Sequence, residues 1–101
     1  MEKSTSMIQV TVEFIGLARI LTRLPKLELS VKPGTTYRDI IGAVANKFPA
    51  LLGQVISLDG KELLGTNMIS INGRHMIVNN ALDESPDDGD KIIFMSILAG
   101  G

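Results

Sequence analysis

The chain has 101 residues, 45% of them apolar, a formal net charge of -1 and no cysteine. That length suits one domain with its own core, and the balanced charge gives no electrostatic footprint for nucleic acid or an anionic membrane. The absence of cysteine excludes disulfides, zinc–thiolate sites and a thiol nucleophile, which favours a reducing cytoplasm.

The first residues, "MEKSTS", are polar, lack the apolar run of a signal peptide and are expected to be disordered over 1–6, with Met7 a candidate second start. No stretch approaches the roughly 20 apolar residues of a membrane span. From Met7 the pattern turns strand-like. Ile8, Val10, Val12 and Phe14 alternate with Gln9, Thr11 and Glu13, a period of two that buries one face. Gly16 breaks the run, and "LARILTRLP" reads as a turn or short irregular link. Leu27, Leu29 and Val31 then alternate with Glu28 and Ser30, so the two strands are expected to form an antiparallel hairpin.

"KPGTTYRD" marks a change of period. Pro33-Gly34 is turn chemistry, and Thr36 with Asp39 three residues on fits a helix N-cap with an acidic third position. Tyr37, Ile40, Ile41, Val44, Ala45 and Phe48 then share one helical face, and Pro49 ends the helix. Residues 50–67 are broken by Gly53, Gly60 and Gly65 and read as short strand or turn pieces. Asn72-Gly73 between apolar flanks predicts a two-residue hairpin loop with positive φ at both positions. "DESPDDGD" is a tight acidic turn; Asp87, Asp88 and Asp90 lack the spacing and distal glutamate of a calcium loop. His75, the single histidine, has no second histidine or cysteine with which to build a metal site or triad, and reads as a solvated strand residue.

The order of elements predicts an α+β domain over 7–97, with one main helix packed on one face of a mixed sheet. The last predicted strand, "KIIFMSIL", departs from the alternation of the first two. Ile92 and Phe94 share one parity, while Ile93, Met95 and Ile97 share the other. One set must turn away from the helix, either under cover from residues 50–67 or as an exposed patch of the kind that marks a partner site. After it come Leu98, Ala99, Gly100 and Gly101. A glycine pair at this position arises by chance in about one chain in 200. Four residues placed there are expected to be a flexible tail whose one reactive group is the α-carboxylate of Gly101, ionised at neutral pH. A carboxylate needs activation before it reacts, and glycine, lacking Cβ, lets an activating enzyme close tightly around the backbone. Ordering four residues costs roughly 4–8 kcal/mol, and desolvating three large apolar side chains returns roughly 5–9 kcal/mol. A patch such as Ile93, Met95 and Ile97 is therefore of the size such a tail requires.

With these features the sequence resembles the ubiquitin-like β-grasp sulfur carriers of the MoaD/ThiS type, over nearly all of residues 7–101. The resemblance rests on "VTVEFIGLARIL", on "VKPGTTYRDII" entering the helix, and on "INGRHMI" followed by "DDGDKIIFMSILAGG". It implies a β-grasp fold and a function as carrier rather than enzyme. In that family a ubiquitin-activating-type enzyme uses ATP to adenylate the terminal glycine, and a persulfide converts it to a thiocarboxylate that donates sulfur in cofactor biosynthesis. The implied roles are Gly101 as the carrier of the adenylate and then the sulfur, and Gly100, Ala99 and Leu98 as the threaded segment. By analogy with ubiquitin, Ile93, Met95 and Ile97 form the partner surface. The implied partners are the adenylating enzyme, the persulfide donor and the large subunit of a cofactor synthase; ATP belongs to the activating partner, and the chain itself holds no cofactor or metal. Molybdopterin-type carriers often have a proline pair where this chain has Ser96-Ile97, whereas thiamine-type carriers are usually shorter. Length and "FIGLARIL" favour the molybdopterin branch. Two alternatives stay open, a ubiquitin-like modifier joined to lysines through Gly101 and a non-catalytic β-grasp interaction module. Arg19, Arg23 and Lys26 are candidates for a basic docking rim.

Overall fold

The computed structural model describes residues 6–96. Strand β1 (Ile8–Phe14) is followed by a short helix α1 (Leu17–Thr22), strand β2 (Lys26–Val31), the main helix α2 (Tyr37–Lys47), and strands β3 (Asn67–Ile71), β4 (His75–Ile77) and β5 (Lys91–Ser96). Single 3-10 turns lie at Pro49–Leu51 and Asn79–Ala81. The five strands form one sheet in the order β2-β1-β5-β3-β4, in which only β1 and β5 are parallel neighbours. This is the mixed sheet with one main helix that the sequence predicts.

The alternation in β1 buries Val10, Val12 and Phe14 and turns Gln9, Thr11 and Glu13 to the other side. β2 pairs with it antiparallel, Ile8 opposite Val31 through Glu13 opposite Lys26. The capping box of α2 is complete: Thr36 Oγ1 accepts from the Asp39 N–H at 3.1 Å, and Asp39 accepts from the Thr36 N–H at 3.3 Å. The helix buries Tyr37, Ile40, Ile41, Val44 and Ala45 against the sheet, with Phe48 half-buried at its end. Phe14 lies at the centre of the aromatic contacts, its ring 5.7 Å from Phe48 edge-on and 5.7 Å from Phe94.

Three parts of the chain differ from the sequence reading. Residues 17–22 are a helix rather than an irregular link, closed by the Ile20 N–H donating to the Gly16 carbonyl. Six residues are too few for a helical period to show, and the side chains that α1 buries are the small Ala18 and the polar Thr22. Residues 50–67 are turns and isolated bridges, Leu52 with Ile56 and Ile56 with Leu63, as expected. However, Leu51, Val55, Ile56 and Leu63 are buried in the same cluster as Ile92 and Phe94, so this segment covers the helix side of the sheet and not the opposite face. At the β3–β4 turn Asn72 and Gly73 do take positive φ, 58° and 72°. The strands re-pair at Ile71 opposite His75, which leaves three residues between them where two were expected.

Candidate functional site

β5 is the element that carries the chain toward its final glycines, and it is held from both sides. Against β1 it pairs from Thr11 opposite Lys91 to Phe14 opposite Phe94. Against β3 it pairs from Ile71 opposite Ile92 to Asn67 opposite Ser96, so β3 alone holds its last two residues. A central strand of this kind has its backbone donors and acceptors satisfied on both edges, which fixes its direction. The fixing extends to its last residue, where the hydroxyls of Ser96 and Thr66 lie 2.9 Å apart.

Its side chains divide by parity as the sequence requires. Ile92 and Phe94 are fully buried on the helix side. Ile93 and Met95 point to the opposite face, are only half-buried, and do not join the core. Register places them among side chains that the sequence reading did not single out. Met95 lies opposite Met68 on β3, Ile93 lies opposite the buried Ser70, and Ser70 in turn lies opposite the exposed Met76 on β4. Ile93, Met95, Met68 and Met76 thus form an apolar strip on the face away from α2. Polar rows border it on β1 and β2, with Gln9, Thr11 and Glu13 beside Lys26, Glu28 and Ser30. The alternation in "NMISI" and "HMI" carried the signal, since Met68 and Met76 are out of phase with the buried Ile69 and Ile77. Methionine is flexible and polarisable and adapts to irregular partner surfaces.

The remaining predicted site residues, Ile97, Leu98, Ala99, Gly100 and Gly101, lie outside the described residues. So does nearly all of the 1–6 segment that the sequence reading expects to be disordered.

The opposite end of β5 is closed by the acidic turn. The Asp87 N–H donates to Asp90 Oδ2 at 2.9 Å, the Gln9 N–H donates to Asp88 Oδ1 at 2.7 Å, and Asn72 Nδ2 donates to Asp90 Oδ1 at 2.9 Å. These carboxylates close a turn and hold β1 and the β3–β4 turn. Among the described residues no group of three histidines, aspartates or glutamates could hold a metal ion. His75 is an exposed residue of β4, as read from the sequence.

The groups with displaced pKa sit on α2 and in the loops. Burial, reinforced by the carboxylates of Asp90, Glu84 and Asp87, pushes the Tyr37 phenol up. The hydrogen bond from Arg38 Nε at 2.9 Å, then its charge, holds Asp83 below the usual carboxylate range. Hydrogen bonds from the Ser57 hydroxyl and the Lys61 N–H do the same for Asp59. An open groove of about 250 Å³ runs between α2 and the following loop, lined by Gly42, Ala45, Asn46, Pro49, Leu52 and Leu58, and no residue of β5 or α1 lines it. The chemistry that the described surface supports is recognition, a rigid strand end beside an apolar strip.

The family model that matches the chain is described as the ThiS family and spans residues 12–101, through both final glycines. Among solved structures the chain is similar to SAMP1 from Haloferax volcanii, with a TM-score of 0.76 at 22% identity over 92% of this chain and 99% of that one. It is similar to small archaeal modifier protein 1 of Methanosarcina acetivorans, with a TM-score of 0.70 at 26% identity over 94% and 98%. A Pyrococcus furiosus protein assigned as subunit 1 of a molybdopterin converting factor gives 0.67 at 22% identity over 90% and 99%. No curated protein matches the sequence. The fold is the ubiquitin-like β-grasp.

Proposed function

Because this chain belongs to the ThiS family of small ubiquitin-like carriers, we propose that it is a sulfur carrier whose working group is the Gly101 carboxylate. A ubiquitin-activating-type enzyme adenylates Gly101 with its own ATP, pyrophosphate leaving. The outer sulfur of a donor persulfide then attacks the acyl adenylate and AMP leaves, giving an acyl disulfide. A second thiol of the partner cleaves its S–S bond, becoming part of a disulfide, and the released thiocarboxylate donates sulfur in cofactor biosynthesis. The chain is a co-substrate in this scheme and performs no chemistry with its own side chains. Leu98, Ala99 and Gly100 are threaded into the enzyme, while Ile93, Met95 and Ile97 rest on its surface. The same Gly101 then meets the large subunit of a cofactor synthase. Molybdopterin biosynthesis is the favoured destination, from the chain's length and the "FIGLARIL" stretch, and the likeness to the Pyrococcus furiosus protein agrees with it. The cytoplasm, where ATP and persulfide sulfur are available, is the proposed setting. No helix among the described residues is long and apolar enough to cross a membrane.

The observation that carries this reading is the family match running through Gly101, directly beyond a strand that β1 holds to Phe94 and β3 holds to Ser96. Intact mass of the protein isolated from its own host tests it. A species with one oxygen replaced by sulfur is expected; only unmodified carboxylate, in cells active in sulfur transfer, would sink it.

A second reading is favoured by the likeness to small archaeal modifier protein 1 at 26% identity. There a lysine amine attacks the Gly101 adenylate, AMP leaves and an isopeptide forms. The two readings share the activation step and differ in the acceptor, so conjugates on other proteins would mark the second.

A further inference from the structure

The geometry around Ser96 points to α1 as a second docking element, and we infer that it seats the adenylating enzyme alongside the β5 strip. This inference rests on the reading that Gly101 is the reacting end. Five residues, 97–101, follow Ser96. An extended chain spans at most about 3.6 Å per residue, so Gly101 reaches no farther than roughly 18 Å from Ser96. An enzyme that closes its active site around Gly101 must therefore bring its surface down onto the end of the sheet where β5 finishes.

The ground at that end is α1. β1 and β5 run parallel with Phe14 opposite Phe94, and the Ile15 N–H donates to the Phe94 carbonyl at 3.0 Å. The chain leaving β1 thus passes beside Met95 and Ser96 and enters α1 at once. The helix packs half-buried Leu21 against the core but leaves other large apolar side chains outside. It buries Ala18 and Thr22 and leaves Leu17 39% and Ile20 72% exposed, with Ile15, just before it, 48% exposed. A lone exposed leucine needs no explanation. Three large apolar residues exposed within six positions form a patch that water does not favour.

Charge selects the occupant. Arg19 lies on α1 and Arg23 at its C-cap, and Lys26 opens β2 at the same end of the sheet, opposite Glu13. The carboxylates of Asp87, Asp88 and Asp90 lie at the other end, beside Gln9 at the start of β1. A molecule with net charge -1 therefore gathers basic side chains where its final residues emerge. The surface that fits is an apolar patch bordered by carboxylates, next to the opening that receives Gly101. Contact at α1 orients the globule before threading begins, and the opposed charges speed the encounter.

The test measures adenylation of the full-length chain by the ubiquitin-activating-type enzyme of its own organism, as ATP–pyrophosphate exchange. Binding of the chain to that enzyme without ATP is titrated separately. Ile20→Glu is expected to raise KM about tenfold with kcat nearly unchanged and to weaken the ATP-free binding by a similar factor. Arg23→Glu is expected to raise KM and flatten its dependence on salt. Leu58→Glu, at a more exposed leucine outside α1 and β5, is the control and is expected to leave both constants alone. Unchanged KM and binding in Ile20→Glu, with its thermal midpoint intact, would overturn the inference. So would an Ile20→Glu effect on self-association alone, because the patch would then serve a second copy of the chain. A wild-type protein that binds through Ile20 but is never adenylated would sink the carrier reading and leave the docking role of α1 standing.

Discussion

Phe94 on β5 lies directly opposite Phe14 on β1 in a parallel pairing, their rings 5.7 Å apart and both side chains buried. That contact joins the core to the strand that leads to Gly101. Phe94→Ala removes a fully buried ring between the sheet and α2, and is expected to cost about 3–5 kcal/mol. Urea unfolding of the variant, read as a shift in midpoint at constant slope, checks it.

Removal of Gly101 is expected to abolish adenylation while the thermal midpoint and urea midpoint stay where they are. The five-stranded sheet and the core cluster are built from residues 8–96, and the globule is expected to stand without the glycine. A drop in stability on deletion would show instead that the terminus packs against the domain. Retained activity would exclude it as the reacting group.

Asn72 is expected to tolerate glycine better than alanine. Its φ of 58° costs a side chain about 1 kcal/mol, and its Oδ1 and Nδ2 bond Lys91 N–H and Asp90. Asn72→Gly loses the two side-chain bonds, each worth about 0.5–1.5 kcal/mol. Asn72→Ala loses them and keeps the backbone strain. Chemical denaturation of both variants should rank wild type above glycine and glycine above alanine.

Acid is expected to weaken the fold through Asp83 and Asp59, whose folded pKa values lie below the ordinary range. The unfolded chain takes up protons first, at about pH 4. The contribution is full above that point and is lost as the pH falls through the folded values. Both carboxylates are exposed, so the effect is small. Urea midpoints at pH 6 and pH 3 should differ less in Asp83→Asn than in wild type.

The strands, α2 and its cap were legible because each obeys one period or one local motif. Val10, Val12 and Phe14 alternate, and Thr36 with Asp39 announces the helix. The division of β5 into Ile92 and Phe94 inward, Ile93 and Met95 outward, follows from parity once the strand is recognised. What hid α1 was its six-residue length and the small or polar side chains, Ala18 and Thr22, that it buries most deeply. A reader expecting apolar residues inside would bury Leu17 and Ile20, which the fold leaves exposed. Leu51, Val55, Ile56 and Leu63 were hidden for another reason. They enter the core from turns and isolated bridges, whose positions no period records. The outer strip needed register, because Met68 and Met76 become neighbours of the β5 side chains only when β3 and β4 are placed beside it.

The placing of β5 between β1 and β3 has a consequence for assembly. Until residues 91–96 arrive, the molecule is two separate ribbons, β2 with β1 and β3 with β4, each showing a bare edge to the vacant slot. Closure therefore waits for the segment just upstream of the glycines, and long-range pairing of this kind slows folding. A chain cut short before Lys91 cannot seal its sheet and is left open to degradation. Any copy that persists as a sealed globule has been synthesised at least as far as the strand that precedes Gly100 and Gly101.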